Sequence, residues 1–175
     1  MEKDPVRFKD VKRKMSKNRF LCLGCVLLPM VGGGISAALT ADAMQQFGSF
    51  KQPPLSPPGW LFPVVWTILY ILMGIASYLI LVAEVSDEDG HRKKKTALAL
   101  YVVQLVFNFC WSPIFFNANR FFVAFFWLVL MWGMILSLIV LSRKLQPMAA
   151  TLLVPYFLWT TFAGYLNLSI ALLNH

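Results

Sequence analysis

Gln104, Asn108, Trp111 and Phe115 recur at intervals of four, three and four, so in a helix two amides and two rings project along one side. Trp66 and Tyr70, four apart, share a face in the same way, and Tyr156, Trp159, Ala163 and Asn167 repeat the pattern near the C-terminus. Indoles, phenols and amides hold a large, flat, mostly apolar molecule by stacking and a few hydrogen bonds. They do little else, because the stretches that carry them contain no Asp, Glu, Lys, Arg or His. Proton relays, ion pathways and general acid-base catalysis all need such groups in place. A metal site is not expected either: the two histidines, His91 and His175, fall outside these stretches, and Cys22, Cys25 and Cys110 lack companion ligands and read as small packing residues.

The elements that carry the stripes are membrane spans. Hydrophobic residues make up 58% of the 175 positions and charged residues 14%, too little polar surface to cover a soluble globule. Five uncharged stretches each supply the ~20 residues that a helix needs to cross roughly 30 Å of hydrocarbon. The fold class expected is therefore an all-α membrane protein, a bundle of five transmembrane helices over residues 20–41, 59–83, 96–117, 120–142 and 147–173. Residues 1–18 form a basic tail, or a short interfacial helix, ahead of a single membrane domain at 19–175. Residues 84–95, acid first and base second, read as a solvated turn. An amide inside hydrocarbon is costly without a partner, so the stripes must face the bundle, either as interhelical ties or as the lining of one cavity.

The formal charge of +8 is distributed by side rather than by patch. Fourteen of the sixteen Lys and Arg lie at 1–19, at 92–95 and at 143–144, leaving Lys51 and Arg120 on the other side. That bias puts the N-terminus in the cytoplasm and the C-terminus outside. It serves as a topology signal with attraction for anionic lipid, and no nucleic-acid partner is expected.

The connection at 42–58 is the longest and lies opposite the tail. Pro53, Pro54, Pro57 and Pro58 fix φ and restrain their predecessors, so a helix starts no earlier than Pro58 or Gly59. Phe47, Phe50 and Leu55 give the loop apolar members suited to covering a cavity. In the first span Gly33, Gly34 and Ser36 belong to a run of small side chains that lets another backbone approach.

The segments PPLSPPGWLFPVVWTILY, QLVFNFCWSPIFF and PYFLWTTFAGYLN resemble, in order and spacing, those of the tryptophan-rich sensory protein and translocator protein family, also called the peripheral benzodiazepine receptor family. The resemblance covers residues 20–173. It implies a five-helix bundle, often a homodimer, whose pocket lies near the end closed by the first long loop. Family members bind porphyrins such as protoporphyrin IX and haem, as ligands rather than required cofactors, and synthetic drugs; bacterial members regulate tetrapyrrole and stress responses. Carried over by position, the ligand site comprises Trp60, Trp66, Asn108, Trp111, Trp159, Ala163 and Leu166, and the stripes add Phe115 and Tyr156 to the expected site. Phe50, Pro54, Leu55 and Ser56 form its lid, with Trp60 held over a floor of Trp66, Asn108 and Trp111. Two alternatives to a binding and sensory role accompany the resemblance: light- and oxygen-dependent porphyrin degradation, with Trp66 and Trp111 as the candidate catalytic residues, and transport of porphyrin or lipid.

One departure bears on ligand choice. The mammalian cholesterol-recognition stretch continues its Leu-Asn pair with a Tyr and a nearby basic residue, whereas here Leu166 and Asn167 are followed by Leu168 and Ser169 with no Lys or Arg beyond. Cholesterol recognition of that kind is not expected. With the polybasic tail, the inner membrane of a bacterium is the expected location.

Overall fold

The computed structural model describes residues 18–174; most of the basic segment expected as a tail or interfacial helix, residues 1–17, lies outside them. Five long helices follow in order: α1 (Arg19–Gln45), α2 (Leu61–Leu81), α3 (Glu88–Ser112), α4 (Phe121–Leu145) and α5 (Pro147–Leu173). A short 3-10 turn, Gln46–Ser49, follows α1, and α3 runs on into a π turn, Pro113–Asn117. All five helices are long and apolar enough to cross a membrane, and the chain is a multi-pass membrane protein.

Neighbouring helices close a ring in the order α1, α2, α5, α4, α3, with α5 packed most extensively on α4 and the seam between α1 and α3 the sparsest. Inside it, Ala124, Leu128, Met131, Ile135, Leu138 and Ser142 of α4 alternate at spacings of four and three and are all buried, so one face of α4 is core. The opposite face carries exposed Phe122, Phe126, Val129 and Leu130, suited to acyl chains rather than water. From α2 come Met73, Tyr78, Leu79 and Ile80, from α3 Tyr101 and Leu105, and from α5 Leu153 and Tyr156.

Several boundaries differ from the sequence expectation. The first helix does not stop at residue 41: α1 runs on to Gln45 and the 3-10 turn takes Gln46–Ser49, so the first part of the loop expected at 42–58 is helical, no proline falling between residue 41 and Pro53. The link at 84–95 is not a solvated turn throughout: α3 begins at Glu88, where the Asp87 carboxylate caps the helix by accepting from the Gly90 amide at 3.2 Å. Glu88 and Asp89 then occupy the positive end of the helix, and Asp89 pairs with Arg92 and Lys93 one turn on. The second helix begins at Leu61, two residues after Gly59, its first turn closed by Leu61 N–H to Pro58 O at 2.9 Å.

Small residues set the spacing of α1 against its neighbours. A Cβ on Gly74 would lie 2.5 Å from Val26 Cα, and one on Gly33 would lie 2.1 Å from the Tyr70 ring. Gly34 departs from its expected packing role. It is exposed and a Cβ there would meet nothing within 4 Å, because each helical step turns about 100° and cannot aim three successive glycines at one neighbour.

Candidate functional site: an aromatic and amide cavity beneath the first loop

Pro113 shapes the upper part of α3. Lacking an N–H, it leaves the Phe109 carbonyl without its intrahelical donor, and the Ser36 hydroxyl of α1 donates to that oxygen at 2.7 Å. The backbone then widens by one residue, with Ala118 N–H bonding Pro113 O at 3.0 Å. The widened turn brings Trp111, Phe115 and Phe116 together, Trp111 stacked on Phe115 at 5.0 Å and Phe116 edge-on to both.

Between this cluster, α1, α2 and α5 lies a cavity of about 130 Å³. Helix α1 contributes Gly33, Ser36, Ala37 and Thr40; α2 contributes Phe62, Pro63, Trp66 and Tyr70. The α3 side adds Asn108, Trp111, Ser112, Phe115 and Phe116, α5 adds Ala163, Leu166, Asn167 and Ile170, and Phe47 closes the top. No lining residue carries a formal charge.

The polar groups of the walls bond one another. Tyr70 donates to Asn108 Oδ1 at 2.9 Å, Asn108 Nδ2 donates to the Tyr156 hydroxyl at 3.1 Å, and Tyr156 in turn donates to Gln104 Oε1 at 2.8 Å. Higher up, Trp111 Nε1 donates to Asn167 Oδ1 at 3.2 Å while Asn167 Nδ2 donates to Phe121 O at 2.8 Å. Asn108 and Asn167 are thereby each fixed by both ends, which offsets the cost of holding them away from water, whereas Gln104 is held through its Oε1 and its buried Nε2 has no hydrogen-bond partner among the described residues. The amides are interhelical ties and cavity walls at once, so the two readings open at the sequence level both apply.

Of the residues expected at the ligand site, Trp66, Asn108, Trp111, Phe115, Ala163 and Leu166 line this cavity. Three do not. Trp60 is 67% exposed: it precedes the first turn of α2, and the face shared by Trp66 and Tyr70 extends back to Phe62 instead. Tyr156 is fully buried beneath the floor, where it supports Asn108 rather than facing the cavity. Trp159 lines a separate apolar groove between α2 and α5 with Val65, Ile68, Pro155 and Phe162, and meets cavity-lining Phe62 edge-on at 6.0 Å.

The loop covers the cavity with different residues from those expected. Pro53 to Ser56 form a tight turn, Ser56 N–H to Pro53 O at 3.3 Å, with Leu55 at φ 68°. Its side chain is 80% exposed, so Leu55 does not cover the cavity, and neither Pro54 nor Ser56 lines it. Phe50 sits one layer above, against Phe47 and Phe121, and Phe47 does the covering, edge-on to Phe62 and Phe116. The backbone is tied to α5: Lys51 N–H donates to Asn174 Oδ1 at 2.8 Å, Asn174 Nδ2 donates to Lys51 O at 3.1 Å, and Tyr165 donates to Pro54 O at 2.8 Å.

Phe62 and Tyr70 were reachable from the sequence by extending the phase of Trp66 one turn each way. Asn167 stood in the α5 stripe without being singled out, and Thr40 carried no signal beyond its distance of four from Ser36.

Relatives match this sequence over most of its length. The model of the TspO/MBR family matches residues 25–173. A tryptophan-rich protein TspO of Chlorobaculum tepidum is 36% identical over 157 residues, 88% of this chain and 94% of that protein. The translocator protein of Bos taurus is 35% identical over 147 residues, 83% and 85% of the two chains, and protein CrtK of Rhodobacter capsulatus is 37% identical over 128 residues, 73% and 78%. With its five apolar helices in place and a family match running through all of them, the chain belongs to the TspO/MBR family.

Proposed function

We propose that this protein is a membrane receptor that binds porphyrins, such as protoporphyrin IX and haem, and similar flat hydrophobic ligands, translocator-protein drugs among them, with a regulatory role in tetrapyrrole or stress response. The observation that carries the reading is the uncharged cavity walled by Trp66, Trp111, Phe115 and Asn108 and covered by a tied-down loop. Stacking against the indoles supplies affinity, and the amide chain holds the rings at fixed angles. At about 130 Å³ the cavity is close to the ~150 Å³ hollow that accepts one benzene, so a tetrapyrrole enters by parting the walls. The covering loop and the sparse seam between α1 and α3 are where the least packing is lost.

The protein acts, in this reading, in the inner membrane of a bacterium, with its N-terminus cytoplasmic and its C-terminus external, as a homodimer. Protoporphyrin IX titrated into the purified protein should quench tryptophan fluorescence saturably; the absence of quenching would reject the proposal. One observation favours a second reading, porphyrin photodegradation: Trp66 and Trp111 both line the cavity, placing oxidisable rings beside a bound photosensitiser. Product forming at equal rates in the native protein and in Trp66→Phe and Trp111→Phe variants, at matched occupancy under light, would reject it.

A further inference from the structure

None of the residues lining the cavity is cationic, whereas the ligands proposed for it carry two carboxylates along one edge of the macrocycle. An unpaired carboxylate in such surroundings is prohibitively costly, so that edge must project out of the cavity. The floor is closed by the chain from Tyr70 to Gln104 and the flanks face hydrocarbon. The remaining way out is past the loop.

On the loop side the described residues include two basic side chains, Lys51 and Arg120, and one acidic one, Asp42. Lys51 follows Phe50 and Arg120 precedes Phe121, and the two rings meet at 5.2 Å, edge to face. The same contact therefore carries both cationic residues. Phe121 rests on cavity-lining Phe115 at 5.1 Å and Phe50 on cavity-covering Phe47 at 6.4 Å, which sets the pair one aromatic layer above the cavity. Both residues are exposed. Their backbones are held, Lys51 by Asn174 at both its N–H and its carbonyl, Arg120 through bonds to Ile114 and Ala124.

We propose that Lys51 and Arg120 form an anion-binding rim that receives the carboxylates of a flat apolar acid whose ring system occupies the cavity. The inference rests on the porphyrin reading and adds an orientation to it: the carboxylate edge points toward the loop, the apolar edge toward Asn108. Discrimination between an acid and its ester then resides in the rim, and ring recognition in the cavity.

The test uses the full-length protein in zwitterionic nanodiscs, titrated with protoporphyrin IX and with its dimethyl ester. In the Lys51→Gln/Arg120→Gln variant the diacid should bind roughly 2- to 30-fold more weakly, the range for two exposed ion pairs, while the ester binds as before. The native preference for the diacid should also shrink as salt is raised. An unchanged diacid affinity, or an equal loss for diacid and ester, would overturn the rim and leave the cavity reading standing. A native protein that binds neither probe saturably would overturn the cavity reading itself.

Discussion

Asn108 is the residue on which most of the cavity floor depends, since it accepts from Tyr70 and donates to Tyr156. Asn108→Leu leaves both phenols short of a partner in a buried setting, and a loss of about 1–3 kcal/mol in stability is expected, read as a lowered thermal midpoint in detergent. A sharper comparison comes from adjacent glycines. Gly33→Ala puts a methyl group 2.1 Å from the Tyr70 ring, which must swing away from Asn108, at a cost of about 1–3 kcal/mol for overpacking. Gly34→Ala meets open space and should leave the midpoint unchanged or raise it slightly, since alanine loses less backbone entropy than glycine in a helix. Equal shifts in the two variants would mean that α1 does not pack as described.

Among the elements, the helices were legible in the sequence because lipid imposes a length and a polarity that few other settings demand. The stripes were legible because spacings of three and four survive any detail of packing; Asn108, Trp111 and Phe115 needed nothing more. The loop was not. Which of Phe47, Phe50, Leu55 and Trp60 faces inward depends on a turn whose Leu55 adopts φ 68° and on the residue at which α2 starts, and neither has a periodic signature. Trp60, the most conspicuous side chain of the segment, is outside for that reason, while Phe62 has the phase of α2 and lines the cavity. The loop ties are equally invisible in sequence, because Lys51 and Asn174 are 123 positions apart. Removing them tests the loop as a cover: Tyr165→Phe with Asn174→Ala should speed protoporphyrin release by about 3- to 10-fold, from up to three modest hydrogen bonds lost, with little change in thermal midpoint. A midpoint that falls in proportion to the release rate would make the loop a structural strap instead.

For the molecule as a whole, the ring of helices places its sparsest seam, its uncharged cavity and its loop on one half of the bundle, and a dense core of Tyr78, Met131, Ile135 and Leu138 on the other. The charge bias adds a direction. In a cysteine-free background within intact cells, a cysteine replacing Lys51 should react with a membrane-impermeant maleimide, and one replacing Lys95 should react only after lysis; the reverse pattern would invert the topology. The proposed function requires that a flat hydrophobic ligand sit in the cavity beneath the loop. Ala163 lines that cavity, so Ala163→Phe fills the space and leaves all six tryptophans in place. Protoporphyrin IX titrated against this variant and followed by tryptophan fluorescence is the most direct measurement. A variant with a native thermal midpoint should lose saturable quenching; quenching with the native affinity would mean that the ligand binds elsewhere.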